Sequence, residues 1–152
     1  MKSRMIVALG VFALAVGTLF AAEATDKVDF SKIKCIVSGK EVNPEATAEY
    51  KDAKVYFCCP GCPGAFAKDS KKFATKANHQ LVATHQAKQT GCPMSGEAVD
   101  PDTAIKVGGV DVAFCCGNCK GAAEKKEGDE QVELIFNDKS FEKGFKVSKK
   151  SE

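Results

Sequence analysis

Eight cysteines fall into two sets of four: Cys35, Cys58, Cys59 and Cys62, then Cys92, Cys115, Cys116 and Cys119. Thiols can ligate a soft metal ion as thiolates, close as disulfides, or exchange between the two states. In each set one cysteine opens a short Cys-x-x-Ser-Gly segment, and the other three form a Cys-Cys-x-x-Cys run. On a helical backbone, positions 58, 59 and 62 project at 0°, about 100° and about 40°, all to one face. A fourth sulfur brought in by the Cys-x-x-Ser-Gly segment would complete a tetrahedral set of the kind that holds zinc. A helix N-terminus beneath these thiols favours the thiolate, the form that binds metal. Disulfides fit less well, because a bond between adjacent cysteines such as Cys58 and Cys59 would close a ring that strains the peptide between them. A Cys59–Cys62 bridge with Cys35 joined to Cys58 stays open as the alternative in an oxidising compartment.

The elements that must position these sulfurs repeat. When Cys35 is laid on Cys92, the chain matches itself without a gap from Cys35 to Phe66, and every cysteine falls on a cysteine. Ser38/Ser95, Gly39/Gly96, Val42/Val99, Pro44/Pro101, Val55/Val112, Phe57/Phe114, Gly64/Gly121 and Ala65/Ala122 coincide as well. Such a self-match defines the structural unit. Each unit opens with a knuckle, Cys35–Gly39 or Cys92–Gly96, whose glycine suits a tight turn. A β-hairpin follows Pro44 or Pro101. In the second copy Ala104–Val107 and Val110–Phe114 flank Gly108-Gly109, a hairpin signal; in the first, Ala48–Tyr50 and Lys54–Phe57 flank Lys51-Asp52-Ala53. The Cys-Cys-x-x-Cys run then opens a helix, with Cys59 at the N-cap and Pro60 at the first helical position. The first helix is expected to reach about Lys76, and the second to run from Lys120 to Glu127 and stop at Gly128. Gln80–Ala83 and Gln131–Phe136 read as strands, and Asn78–Thr90 as a linker.

Cys-x-x-Ser-Gly, a hairpin-sized gap, then Phe-Cys-Cys-x-x-Cys resembles the YHS/TRASH-like family of small heavy-metal-binding domains. The match falls on Cys35, Cys58 and Cys62, and again on Cys92, Cys115 and Cys119. The resemblance implies a treble-clef-like scaffold and metal sensing, trafficking or sequestration, with zinc or copper as the ion. Ser38 and Ser95 stand where many family members carry a second knuckle cysteine, and Cys59 and Cys116 are extra. Relocation of the fourth ligand to Cys59 and Cys116 keeps the count at four. Three sulfurs would suit Cu+ and four would suit Zn2+.

The N-terminus has the layout of a secretory signal: Lys2 and Arg4, an uncharged run from Met5 to Phe20, then small residues ending in Ala22-Glu23-Ala24. Cleavage is expected before Thr25, leaving a soluble periplasmic or secreted protein. That removes Lys2, Arg4 and Glu23, so the formal charge goes from +2 to +1. A near-neutral chain with interleaved charges gives no support for nucleic-acid or anionic-membrane binding. Lys143, Lys146, Lys149 and Lys150 read as a solvated tail. His79 and His85 read as exposed linker residues, and Met94 as core, since its counterpart Val37 cannot bind metal. Asn43-Pro-Glu45 and Asp100-Pro-Asp102 read as turn chemistry, and Phe57, Phe66, Phe114 and Phe136 as core. No haem attachment signature and no catalytic set can be assembled.

The expectation is therefore an α+β protein of two tandem treble-clef-like modules (knuckle, hairpin, helix) related by a pseudo-twofold repeat. Its parts are a signal at 1–24, an N-terminal segment at 25–33, modules at 34–90 (with linker) and 91–147, and a basic tail at 148–152. The expected function is non-enzymatic binding of one Zn2+ or Cu+ per module. A disulfide-stapled interaction module without metal, or a thiol-disulfide redox protein, is the alternative.

Overall fold

The computed structural model describes residues 28–148, so the expected signal segment and most of the expected basic tail lie outside the described residues. Those residues build a mixed α+β fold of five α-helices and three two-stranded antiparallel sheets. Among them no helix is long and apolar enough to cross a membrane.

Two hairpins carry the cysteine runs. Strands β1 (Asn43–Tyr50) and β2 (Ala53–Phe57) form one; β4 (Asp100–Val107) and β5 (Val110–Phe114) form the other, at the repeat-equivalent place. Both turn on two residues with positive φ: Lys51 (50°) and Asp52 (63°), then Gly108 (57°) and Gly109 (91°). Positive φ at both positions matches the natural strand twist. Glycine adopts it freely, whereas a lysine there gives up about 1 kcal/mol. Ala53, expected in the turn, instead pairs with Tyr50. Each hairpin has a register shift near its open end, at Asn43/Thr47 and Asp100/Ile105. There the Asn43 and Asp100 side chains accept hydrogen bonds from the Glu45 and Asp102 amides, both at 3.0 Å, which is the turn chemistry expected of those segments.

Helices α1 (Gly61–Lys68) and α3 (Gly117–Glu124) follow the cysteine runs. Cys116 is the N-cap of α3, but Pro60 takes that place in α1, one position beyond the expected Cys59. The first helix does not continue to Lys76. It breaks at Asp69, whose side chain caps a 3-10 turn over Ser70–Phe73, and α2 (Ala74–Ala83) begins afterwards. The strands expected at Gln80–Ala83 and Gln131–Phe136 are helical: the first ends α2, the second lies in α4 (Gly128–Phe136). In both, burial follows helical spacing, with Ala74, Ala77 and Leu81 buried on α2 and Val132, Ile135 and Phe136 turned inward on α4. Gly128 has positive φ (55°) but opens α4 instead of closing the preceding helix. The supposed linker contains the end of α2 and strand β3 (Ala87–Gln89). Lys143 and Lys146, expected in a tail, lie on α5 (Asp138–Gly144) and β6 (Phe145–Val147).

The two halves of the chain meet over α2, which packs against α4 and α5, while β3 pairs antiparallel with β6. Asn78, fully buried, donates to the Phe136 carbonyl (2.9 Å) and to Asp138 (3.0 Å). Lys51 reaches Asp138 at 2.8 Å. His79 is not an exposed linker residue. Its ring meets Phe136 edge-on at 5.0 Å, and its Nε2 lies 3.0 Å from the Gly108 carbonyl. His85 is exposed, as expected, with φ of 57°. Phe57, Phe66, Phe114 and Phe136 are buried, and Met94 packs against the core from a partly buried position.

Candidate metal centre

Each cysteine set is assembled by three local devices. The knuckle closes on itself: the Gly39 amide donates to the Cys35 carbonyl (2.8 Å), and the Cys35 amide to the Lys40 carbonyl (2.7 Å). Gly96, Cys92 and Glu97 repeat this at 2.7 and 2.8 Å. The closed turn aims Cys35 and Cys92 inward, where both are buried. The hairpin's second strand, anchored by the fully buried pairs Val55/Phe57 and Val112/Phe114, delivers Cys58 and Cys115 beside them. The first turn of α1 or α3 adds Cys62 or Cys119; Cys58, Cys59, Cys115 and Cys116 precede the helices, with Cys116 extended, so the sulfurs are not carried on one helical face as expected.

The result is two sulfur triads, Cys35–Cys58–Cys62 and Cys92–Cys115–Cys119, each with all its sulfurs within 4.8 Å of one another. Cys58 and Cys62 lie 3.6 Å apart, and Cys115 and Cys119 3.7 Å. Four sulfurs around zinc at about 2.3 Å would stand about 3.8 Å apart, while a disulfide needs about 2.05 Å. All eight thiols are free. The donor set and its spacing therefore fit a shared soft ion.

Cys59 and Cys116, the expected fourth sulfurs, are exposed and fall outside both triads. Each nevertheless touches one member: Cys59 lies 3.5 Å from Cys62, and Cys116 3.7 Å from Cys115. His79 and His85 take no part in either cluster.

Ser38 and Ser95 do more than fill a missing cysteine's place. Their hydroxyls sit 3.1 Å from the Cys58 sulfur and 3.3 Å from the Cys115 sulfur. The signal was their identical spacing in the two knuckles. The pattern of hydrogen bonds also sorts the thiols by acidity. Burial opposes ionisation of Cys35, yet the Ser38 hydroxyl and the amides of Ser38, Cys58 and Val37 outweigh it and hold the thiol at about 6. Cys92 is likewise held at about 6 against burial, by the Ser95 and Cys115 amides and the Ser95 hydroxyl. Cys62 is pushed up to about 12, first by its hydrogen bond with Cys59 and then by burial. Burial, followed by Cys115 and Cys116, pushes Cys119 up to about 12. These contacts favour the thiolate at Cys35 and Cys92 and the protonated thiol at Cys62 and Cys119.

No family model, curated protein or solved structure matches the chain.

Proposed function

We propose that this chain is an exported, non-enzymatic binding protein holding one thiophilic metal ion, Zn2+ or Cu+, in each of two modules. The observation that carries this reading is the pair of triads, whose sulfurs stand at metal-sharing and not disulfide distances. In its finer form, the knuckle, hairpin and first helix at residues 34–90 and 91–147 are two treble-clef-like modules of YHS/TRASH type. Cys59 and Cys116 swing in as fourth ligands when Zn2+ is bound, and stay out when three sulfurs hold Cu+. Support comes from the gapless self-match, which pairs every cysteine, both knuckles and both hairpins. The signal-like segment from Met1 to Ala24 supports export, and buffering, trafficking or sensing of the ion would follow from that location. The metal ion is the partner this reading requires; it calls for neither nucleic acid nor membrane.

A thiol-disulfide redox reading draws on one contact, Cys59 to Cys62 at 3.5 Å within a C-x-x-C pair. One measurement separates the two. The mature chain, purified from an exporting host without chelator, is assayed for bound metal and for thiols under denaturation. About two metal ions and eight titratable thiols per chain are expected. No metal and no free thiols would overturn the metal reading in favour of disulfides.

A further inference from the structure

Two glutamines outside the cysteine motifs make the same three hydrogen bonds at repeat-equivalent places. The Gln80 side chain accepts from the Tyr56 amide (2.7 Å) and donates to the Tyr56 carbonyl (3.0 Å) and the Lys34 carbonyl (3.1 Å). The Gln89 side chain accepts from the Ala113 amide (3.0 Å) and donates to the Ala113 carbonyl (2.6 Å) and the Gly91 carbonyl (3.0 Å). The repeat lays Tyr56 on Ala113 and Lys34 on Gly91, so both amides grip the same two backbone points. The glutamines themselves are not repeat partners. Gln80 lies on α2 and Gln89 on β3, and the repeat would pair them with Asn137 and Lys32.

The gripped points bracket the metal centre. Lys34 and Gly91 immediately precede the knuckle cysteines Cys35 and Cys92, and Tyr56 and Ala113 stand just ahead of Cys58 and Cys115 on the returning strand. Each glutamine therefore spans the gap between the two ligand-bearing segments that lie far apart in sequence. A primary amide is suited to this, because it offers one acceptor and two donors in a single plane. Gln86 provides an internal contrast. It makes the same pair of bonds to the Lys54 amide (2.8 Å) and carbonyl (2.7 Å), further along β2, but touches no knuckle.

We infer that Gln80 and Gln89 are positioning residues that hold knuckle and hairpin at ligand spacing, so that each triad is formed before an ion arrives. The inference rests on the metal reading above. Outer contacts that orient ligands typically change metal affinity by about 10- to 100-fold when removed.

The test uses the full mature chain, with Co2+ as probe and thiolate-to-cobalt absorbance as readout. Each site is isolated by the double substitution Cys92→Ser/Cys115→Ser or Cys35→Ser/Cys58→Ser. Gln80→Leu is expected to weaken Co2+ binding at the first site by about 10- to 100-fold and leave the second unchanged. Gln89→Leu should do the reverse, and Gln86→Leu should move neither. If Gln80→Leu prevents folding, Gln80→Glu keeps the acceptor for the Tyr56 amide and should weaken the first site alone. Amide hydrogen exchange on the metal-free chain supplies the second readout: Gln80→Leu should expose the Tyr56 amide and spare that of Ala113. Equal weakening at both sites, no weakening, or an equal effect of Gln86→Leu would overturn the positioning role. Absence of any cobalt signal in the unsubstituted chain, with Tyr56 still protected, would sink the metal reading itself.

Discussion

Gly108→Ala tests how the second hairpin is docked on the first half of the chain. Gly108 has φ of 57°, and a Cβ built there would lie 2.6 Å from His79 Nε2, with the ring carbons Cδ2 and Cε1 each at 3.2 Å. Placing alanine in the left-handed region costs about 1–2 kcal/mol. The methyl also drives the imidazole away from the Gly108 carbonyl, which now accepts its Nε2–H at 3.0 Å, losing about 0.5–1.5 kcal/mol more. The expected loss is about 1.5–3.5 kcal/mol by urea unfolding. Gly109→Ala is the control, because Gly109 also has positive φ (91°) but its Cβ would meet nothing within 4 Å. It should lose only the backbone part, about 1–2 kcal/mol. The difference between the two variants should then shrink when both are remade on His79→Ala, since the colliding ring is gone. Equal losses in the two glycine variants, or a difference that survives His79→Ala, would refute the docking described here.

Three further outcomes are expected. Cys62→Ser should cut bound metal from about two ions per chain to about one, measured by elemental analysis, while Cys59→Ser keeps the ion more weakly. Ser38→Ala, which removes only the hydroxyl 3.1 Å from the Cys58 sulfur, should weaken the first site by about tenfold in a competition titration. Burial, partly offset by the Gly108 carbonyl, lowers the pKa of His79 in the folded chain from 6.5. Its contribution to stability is therefore complete above pH 6.5 and declines as the pH falls through the folded value, because the unfolded chain takes the proton first. Urea midpoints between pH 7 and 5 should decline less steeply in His79→Gln, and an unchanged slope would show that the ring stays solvated.

What could be read from sequence divides along physical lines. The second hairpin was legible because Gly108-Gly109 supplies positive φ at no steric cost. The first was legible only by the repeat, since Lys51-Asp52 reaches the same conformation against its own propensity. Gln80–Ala83 and Gln131–Phe136 were misread as strands because short apolar runs satisfy either period. Burial of Leu81 with Ala77, and of Ile135 with Phe136, is a tertiary fact that selects the helix. The triads could be anticipated because the hairpin between Cys35 and Cys58, or Cys92 and Cys115, returns the chain to the knuckle. The exposure of Cys59 and Cys116 could not, because both precede their helices, where helical spacing does not set the direction of a side chain. The glutamine clamps left no sequence trace: a side chain that bonds a distant stretch of backbone follows no period.

The core also changes why these cysteines are present. A unit as small as one module buries little apolar surface, so its fold is marginal and often leans on a staple or an ion. That argument assumes each half stands alone, and the halves do not. Val55, Phe57, Phe66 and Leu81 from the first join Val107, Phe114, Ile135 and Phe136 from the second in one buried cluster, with α2 lying on α4 and β3 paired to β6. The two halves therefore share one core, and a larger unit buries a greater fraction of its surface. Cys35, Cys62 and Cys92 belong to that cluster, whereas Cys59 and Cys116 face solvent. On the proposed metal reading, each ion would rest on a floor of sulfurs already held by the core and be reached from the side of an exposed thiol. On that reading, folding and loading would be separate events. A site that the fold can form empty is free to exchange its ion, which a site required for folding cannot do without unfolding the chain.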